Sequence, residues 1–312
     1  FTGGASALTP ALHPEIPLAD MQRLTCMLLE CGATIHEINT LRKHLSRFSG
    51  GSLVRAAFPA TVLGLIVSDV VGDDLDVIAS GPTVPDPSTF ADCLRVVEHY
   101  GLRWKMPQSI WAHIEGGLQG RTPETPKADE PAFGRVRNVL VASVKQALEA
   151  AADEAARCGF VPRILTTAMS GEARRTAAQL VAEARRAQAG LRPGDAPLCL
   201  LAGGETTVTI RGSGKGGRNQ EMALAATLEL ADDRGIDLIC VGTDGTDGPT
   251  DAAGGYAFSG DLARLRAIGL HPKESLDAND SYPLLLKAGT LLRTGPTRTN
   301  VMDMAIMLVR PK

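Results

Sequence analysis

A short buried strand that runs directly into a loop rich in glycine and aspartate most constrains the fold of this chain. Residues 236–241 (IDLICV) are apolar apart from Asp237, as expected for a strand inside a sheet. The loop that follows, residues 242–255, contains five glycines and the carboxylates Asp244, Asp247 and Asp251. It should leave the carboxyl end of the strand, where α/β sheets build their ligand sites.

The aspartates of this loop are candidate metal ligands. Glycines let the backbone approach a ligand, and clustered carboxylates suit Mg²⁺. We assign Asp244 and Asp247 to the metal, whereas Asp251 is farther along and is expected to cap the following turn. The alternative is a glycine-rich turn whose aspartates cap a helix or bind their own backbone.

A second loop supplies positive charge. Residues 212–221 (GSGKGGRNQE) lead into an apolar helix at 222–230, and backbone N–H groups at a helix start attract anions. The loop is not a Walker A motif, because no Lys-Ser or Lys-Thr pair closes it. Taken singly, it could be a solvated connection. If the two loops follow neighbouring strands, they face one ligand, as a phosphate–Mg²⁺ site requires. The candidate phosphate-binding residues of this loop are Lys215, Gly216, Gly217, Arg218 and Asn219, of which Arg218 and Lys215 carry the charge for catalysis.

Strands and helices alternate along the chain, which predicts an α/β fold with largely parallel sheets flanked by helices. Residues 190–197 (GLRPGDAP) have the composition of a linker. We therefore predict two domains, residues 1–190 and 198–312, with the active site in the cleft between them. Residues 206–211 are predicted to form a further strand of the second domain.

Composition limits the classes of function. The net charge is −3 with no basic stripe, and aromatic residues are 4%, which argues against a nucleic-acid partner. The six cysteines form no CxxC pair and indicate a reduced, cytoplasmic protein. No apolar run is long enough for a membrane span. The sequence leaves the oligomeric state open, a homo-oligomer included.

Other carboxylates follow strands. Asp69 directly follows the predicted strand 61–67, where either a catalytic carboxylate or a turn cap is expected. Glu205 is a candidate third carboxylate of the second-domain site. Asn300 and Asp303 near the last strand are either supporting residues of the site or caps.

Small and basic residues of the first half are candidate substrate ligands. Gly3, Gly4 and Ser6 precede or open a helix and could cradle an anion, although the motif is short. Ser80, in the run SGPT, could hydrogen-bond a small polar substrate, but Gly-Pro is first a turn signal. Lys43 could bind a carboxylate or a phosphate, whereas composition alone favours a solvated basic helix face.

Three motifs of other enzyme classes are missing from the sequence. It contains no GxSxG elbow, no complete GxGxxG dinucleotide fingerprint after a strand, and no Cys/His ligand set for zinc. These absences weigh against an α/β hydrolase, a Rossmann-type dehydrogenase and a zinc protein.

Several motifs, in order along nearly the whole chain, resemble the class II glycerate kinases, also called glycerate 2-kinases, and residues 198–309 resemble their MOFRL domain. The motifs are GATIHEINTLRKHL (32–45), SDVVGDD (68–74), IASGPTVPD (78–86), GGRNQE (216–221) and GTDGTDG (242–248). The resemblance implies transfer of the γ-phosphoryl group of ATP to the 2-hydroxyl of D-glycerate with Mg²⁺, giving 2-phosphoglycerate. It makes Asp69 the candidate for orienting or deprotonating that hydroxyl. The alternatives are an NAD(P)H-dependent hydroxypyruvate reductase and a non-catalytic ligand-binding remnant.

The chain departs from the pattern of this family at a few positions. Ala5 replaces a glycine of the usual Gly-Gly-Gly-Ser, Val144 replaces a common asparagine, and Arg298 replaces the second glycine of Thr-Gly-Pro-Thr-Gly-Thr-Asn. The family's upstream segment, with a lysine thought to serve catalysis, does not occur in this sequence. Because the first residues look like the tail of a strand, we expect that a preceding segment is missing. Arg298 is expected to alter the substrate pocket.

Overall fold

A computed structural model describes residues 1–2, 4–231 and 233–312 of the chain. The chain divides into two compact units. The first comprises Phe1–Ser68 and Asp73–Val141, and the second comprises Asp69–Gly72 and Ala142–Lys312.

Helices form the core of the first unit. Its apolar cluster includes Leu24, Leu41, Phe90 and Ile114 from four different helices. Capping boxes fix two of the helix starts, one of them between Thr34 and Glu37. The elements are α1 (Ala5–Leu8), α2 (Leu18–Glu30), α3 (Ile35–His44), α4 (Ser52–Ala57), α5 (Phe90–His99), α6 (Gln108–Leu118), the 3₁₀ turns Ile78–Ser80 and Pro131–Arg135, and the two-stranded sheet of β1 (Val62–Val67) and β2 (Val136–Ala142).

A sheet with helices on both faces forms the second unit. Within the described residues it has six strands in the order β3-β4-β8-β5-β6-β7. The strands are β3 (Val161–Met169), β4 (Leu198–Gly204), β5 (Ile236–Gly242), β6 (Gly254–Ala257), β7 (Leu291–Leu292) and β8 (Asp303–Val309). The helices are α7 (Val144–Arg157), α8 (Ala173–Ala189), α9 (Arg218–Leu230), α10 (Asp261–Ala267), α11 (Pro272–Asp277) and α12 (Ser281–Ala288).

Alternate residues of the central strands face opposite sides of the sheet and pack into two separate apolar cores. Leu200 of β4 and Met307 of β8 pack with α8 and α9, whereas Leu201 of β4 and Ile306 of β8 pack with α7. Every residue of β4 is buried, as expected for a strand covered on both faces. The predicted α/β class, with helices flanking a sheet, is confirmed.

The prediction of largely parallel sheets is wrong. Only β3 and β4 pair in parallel, while β4–β8, β5–β8, β5–β6 and β6–β7 are antiparallel within the described residues. Helical crossovers do make β3, β4 and β5 run in the same direction. Strands β6 and β8 follow loops instead of crossover helices, and loop connections allow antiparallel pairing. The loop-bearing strands β4 and β5 are consequently separated by β8.

The predicted boundary at residues 190–197 does not separate the compact units. Strand β3 pairs with β4, so this Pro/Gly-rich segment is an ordinary helix-to-strand connection inside one sheet. The predicted strand at 206–211 also fails to form. Among these residues, all of which the structure describes, Thr207 makes a single bridge to Glu172. In the described part of the chain, no helix is long and apolar enough to cross a membrane.

Candidate functional site

The antiparallel insertion of β8 brings three polar chain segments to one edge of the sheet. Asp303, the first residue of β8, lies opposite Gly204 at the end of β4 and opposite Gly242 at the end of β5. Glu205 therefore follows on one side of Asp303, and the loop with Asp244 follows on the other. The strands that precede the two loops, β4 and β5, are therefore not neighbours as the sequence predicted, because β8 lies between them.

Arg218, the first residue of α9, is held by two carboxylates at this edge. Its Nε and Nη2 donate to Asp303 Oδ2 and Oδ1 at 2.5 and 3.0 Å, and its Nη1 donates to Glu205 Oε1 at 2.6 Å. Asn219 Nδ2 donates to Asp303 Oδ1 at 3.0 Å. The bidentate pair fixes the plane of the guanidinium, which a lysine could not copy.

The electrostatics of this group are dominated by carboxylates. Burial alone would lower the pKa of Arg218, but Asp303, Glu205 and Asp247 outweigh it and raise that pKa. Partial burial raises the pKa of Glu205, and the charges of Asp303 and Asp69 add to this against the opposing effect of Arg218. One permanent cation thus lies among several carboxylates, an arrangement that favours binding of a further cation.

Asp247 caps helix α9. Its Oδ1 accepts from the backbone N–H of Asn219 at 3.1 Å, and its Oδ2 accepts from the backbone N–H of Gln220 at 2.8 Å. Gly217 permits this contact, because an added Cβ there would collide with the Asp247 carboxyl group. Both oxygens of this predicted metal ligand are engaged by the helix start, which is the alternative that the sequence left open.

Asp244 is more available to a ligand. It is half-buried, and its Oδ1 accepts from Thr246 N–H at 2.9 Å. It lines a cavity of about 820 Å³ in the second unit. Predicted residues that also line this cavity are Glu205, Gly216, Gly217, Arg218 and Asp247.

Lys215 is directed elsewhere. Its Nζ lies 4.5 Å from the ring centroid of Tyr282, and its backbone N–H donates to Asp280 Oδ1 at 2.8 Å. It is not among the residues that line the cavity. The Asp251 carboxylate contacts the same tyrosine. It accepts a hydrogen bond from the Tyr282 hydroxyl at 2.6 Å and pairs with Arg293 at 3.0 Å. Asp251 is thus a surface ion-pair residue and not the expected turn cap.

Asp69 joins the carboxylates of the second unit, because the segment Asp69–Gly72 belongs to that unit. It is half-buried, and burial raises the pKa of its carboxyl group against an opposing backbone hydrogen bond. Its charge contributes to the raised pKa of Glu205, so the two carboxylates lie within electrostatic reach of each other.

The hydroxyl candidates of the first unit come together. Ser6 Oγ and Ser80 Oγ are 2.9 Å apart, and Ser80 Oγ donates to Asn39 Oδ1 at 3.1 Å. Both serines line a cavity of about 370 Å³ with Arg42. Ala79 and Ser80 have φ values of 54° and 58°, a left-handed conformation that non-glycine residues adopt at a cost and that is common at functional sites.

Lys43 and the N-terminal glycines differ from these serines. The Lys43 side chain is buried and pairs with Asp76 and, at 3.5 Å, with Asp86, so the predicted solvated helix face is wrong. Gly4 precedes α1 with a left-handed φ of 78°, whereas Gly3 lies outside the described residues. Helix α1 is a single turn of four residues.

Sequence reasoning missed that Asp303 is the principal partner of Arg218. It also gave no role to Gln220, whose Nε2 donates to Asp247 Oδ2 at 3.0 Å, or to the buried pair of Glu221 with Arg174 at 2.6 Å. The run GGRNQE was the available signal for Gln220 and Glu221. No spacing rule links Arg218 to a residue 85 positions later.

Comparison with known proteins identifies the family. Residues 1–115 match a domain of unknown function (DUF4147), and residues 198–303 match the MOFRL family. A protein of Pyrococcus horikoshii named glycerate 2-kinase is 46% identical over 313 residues, which cover 100% of this chain and 70% of that protein. The chain belongs to the glycerate kinase family.

A solved structure supports the same membership. The crystal structure of a glycerate kinase from Thermotoga maritima matches this glycerate kinase family member with a TM-score of 0.90 and 43% identity, covering 99% of this chain and 72% of that one. A relative from Agrobacterium vitis is 44% identical, covers 99% of this chain and 69% of its own length, and is provisionally named a hydroxypyruvate reductase.

Proposed function

We propose that this protein is a glycerate 2-kinase, which transfers the γ-phosphoryl group of ATP to the 2-hydroxyl of D-glycerate and yields 2-phosphoglycerate and ADP. Membership of the glycerate kinase family supports a phosphotransferase acting on glycerate. ATP as the donor, Mg²⁺ as the metal, and the assignment of individual residues are our own inferences.

The observation that carries the proposal is the guanidinium of Arg218, fixed at the start of α9 beside a cavity lined by carboxylates. Phosphoryl transfer needs positioned positive charge on the transferring group, and arginine can bind two phosphate oxygens at once. Asp303 and Glu205 hold Arg218 in one orientation through three hydrogen bonds. This reduces the reorganisation required when substrate charge develops.

The donor set at the sheet edge fits Mg²⁺. Carboxylate and amide oxygens are its usual protein ligands. Asp244 lines the cavity, and the buried Asn219 Oδ1 has no hydrogen-bond partner in the part of the chain that the structure describes. We propose that Asp244 ligates the metal, with Asp247 contributing mainly by fixing the helix start. Held there by Asp244, Mg²⁺ would neutralise charge on the phosphate groups.

Asp69 is our candidate for the group that orients or deprotonates the glycerate hydroxyl. Its raised pKa makes it a stronger base than an ordinary aspartate, which suits this role. The backbone of Gly216 and Gly217 is a proposed phosphate contact, and Lys215 is proposed to add charge from the rim. Asn219, predicted to bind phosphate, is buried and donates its amide N–H groups to Asp247 and Asp303, so we propose that it positions these carboxylates.

In the first unit, Gly4, Ser6 and Ser80 are proposed to bind a polar part of the substrate. Lys43 already pairs with Asp76 and Asp86, so we propose that it orders the segment that carries Ser80 instead of binding substrate directly. The location of the active site in an interdomain cleft, the cytoplasmic location and a homo-oligomeric state stay predictions.

An assay of ADP release tests the proposal. The chain is incubated with MgATP, with and without D-glycerate, and in parallel with hydroxypyruvate and NADH or NADPH. We expect ADP release that requires D-glycerate and is lost in Arg218→Gln, with no oxidation of the nicotinamide. Oxidation of the nicotinamide without consumption of ATP would show that the protein is a hydroxypyruvate reductase and not a kinase. Ligand binding without either reaction would indicate a non-catalytic protein.

A further inference from the structure

A cluster of metal-ligating side chains lies in the first unit, among residues to which the proposed activity gives no role. It consists of His13, Glu15 and His113, whose ligand atoms lie within 4.8 Å of one another. Within residues 4–231 and 233–312, this is the one group of three or more such side chains that is close enough to share a metal ion.

The local backbone presents the cluster. His13-Pro-Glu-Ile16 forms a turn in which Ile16 N–H donates to His13 O at 2.9 Å, and Pro14 suits the second position of such a turn. Buried Ile16 anchors the turn in the core, and His13 N–H donates to Leu45 O at 3.2 Å. His113 comes from the middle of α6 and is almost fully buried.

The hydrogen bonds of His113 leave one ring nitrogen facing a carboxylate. Its Nε2 lies 2.9 Å from His44 O, and because a carbonyl only accepts, Nε2 carries a proton. Its Nδ1 lies 2.8 Å from Glu15 Oε1. In a neutral ring these would be two acceptors in contact, and 2.8 Å is too short for a metal ion between them, so a second proton lies there in this structure. Binding of a metal ion would displace that proton. Donation of the remote ring nitrogen to a backbone carbonyl is the usual outer contact of a metal-binding histidine.

The other two side chains are reachable from solvent. His13 is half-buried and Glu15 is exposed, whereas His113 is buried. Arg47 opposes a cation here, although its Nε is turned to Leu12 O at 3.2 Å.

We propose that His13, Glu15 and His113 bind one divalent transition-metal ion such as Zn²⁺. Two imidazoles and one carboxylate are a common zinc donor set when a fourth position is left open. An adjoining cavity of about 230 Å³, lined by His13 and His44, provides room for a water ligand. Ligand atoms around tetrahedral zinc lie about 3.4 Å apart. The Glu15 side chain is 55% exposed, so it can rotate and widen its 2.8 Å contact with His113 Nδ1 towards that spacing.

Metal titration of the full chain tests this proposal without reference to kinase activity. The protein is stripped with EDTA, dialysed, and titrated with Co²⁺, monitored by visible absorption, and with Zn²⁺, monitored by calorimetry. We expect one ion per chain, the visible bands of low-coordinate Co²⁺, and a thermal unfolding midpoint that rises with Zn²⁺. His13→Ala and Glu15→Gln should each weaken binding at least about tenfold.

His36→Ala is the matched control, since His36 is exposed and lies outside the cluster. It should bind as the parent does. Lack of binding by the parent, or equal affinity in the parent and both cluster variants, would overturn the proposal. So would ¹⁵N spectra in which both ring nitrogens of His113 stay protonated in excess Zn²⁺, because His113 would then be an imidazolium paired with Glu15.

Discussion

Replacing Asp303 by asparagine should slow catalysis while leaving the fold intact. Asp303 Oδ2 accepts from Arg218 Nε, and Oδ1 accepts from Arg218 Nη2 and Asn219 Nδ2. Asparagine has the same shape but presents an NH₂ group in place of one oxygen. In either orientation of the amide, at least one donor of Arg218 then faces another donor.

The size of the effect follows from the bonds lost. A hydrogen bond to a charged group contributes about 1.5–3 kcal/mol, and Asp303→Asn loses at least one such bond and the neutralising charge. Glu205 would then be the only carboxylate that holds the guanidinium. If this loss appears in the transition state, kcat should fall about 10- to 100-fold, with the KM for glycerate changing much less. Steady-state kinetics measures this, with thermal unfolding of each variant recorded in parallel.

A double-mutant cycle separates positioning from a general structural role. Arg218→Lys and Asp303→Asn should be strongly non-additive in kcat, because each breaks the same pair. Asp277→Asn, which removes an exposed partner of Lys273, is the matched control and should leave kcat unchanged. An Asp303→Asn enzyme with parental kcat, or additive effects in the cycle, would refute the view that Asp303 orients Arg218.

Three further predictions concern the loops around the site. Asp244→Asn should raise the Mg²⁺ concentration needed for half-maximal rate, which a Mg²⁺ titration measures. Asp247→Asn should mainly lower the free energy of unfolding, by about 1–2 kcal/mol in urea, because the helix loses its cap. The opposite assignment of these two effects would contradict both roles. Burial raises the pKa of Asp69 above the ordinary 3.8, and a catalytic base must be ionised, so kcat/KM should fall as the pH drops through that raised pKa. If Asp69→Asn had the same pH profile as the parent, Asp69 would not be the catalytic base. Arg298 has a φ of 65°, so Arg298→Gly should raise the free energy of unfolding by about 0.5–1 kcal/mol in urea titration, and a decrease would show that other contacts offset the strain.

Local patterns in the sequence predicted the elements that bear the site. The apolar run 236–241 became β5, and the glycine- and aspartate-rich loop follows it as expected. The loop 212–221 does lead into a buried helix, with Arg218 as its first residue. These predictions succeeded because hydrophobic periodicity and glycine content reflect forces that act over a few residues.

Long-range partners were beyond such reasoning. The position of β8 between β4 and β5 decides that Asp303 meets Arg218, and strand order depends on packing of the whole sheet. Lys215 was predicted to bind phosphate because it shares a loop with Arg218, but Tyr282, 67 positions later, gives its ammonium group another neighbour. Asp247 has the same residue type and loop as Asp244, and only the structure distinguishes the cap from the available carboxylate.

Identification of the phosphorylated product tests the central claim most directly. The chain is incubated with MgATP and D-glycerate, and the products are resolved by ³¹P NMR against authentic 2- and 3-phosphoglycerate. We predict that 2-phosphoglycerate forms in equal amount to ADP, and that the Arg218→Gln variant forms no product. Formation of 3-phosphoglycerate, or ATP hydrolysis to inorganic phosphate with glycerate unchanged, would contradict it.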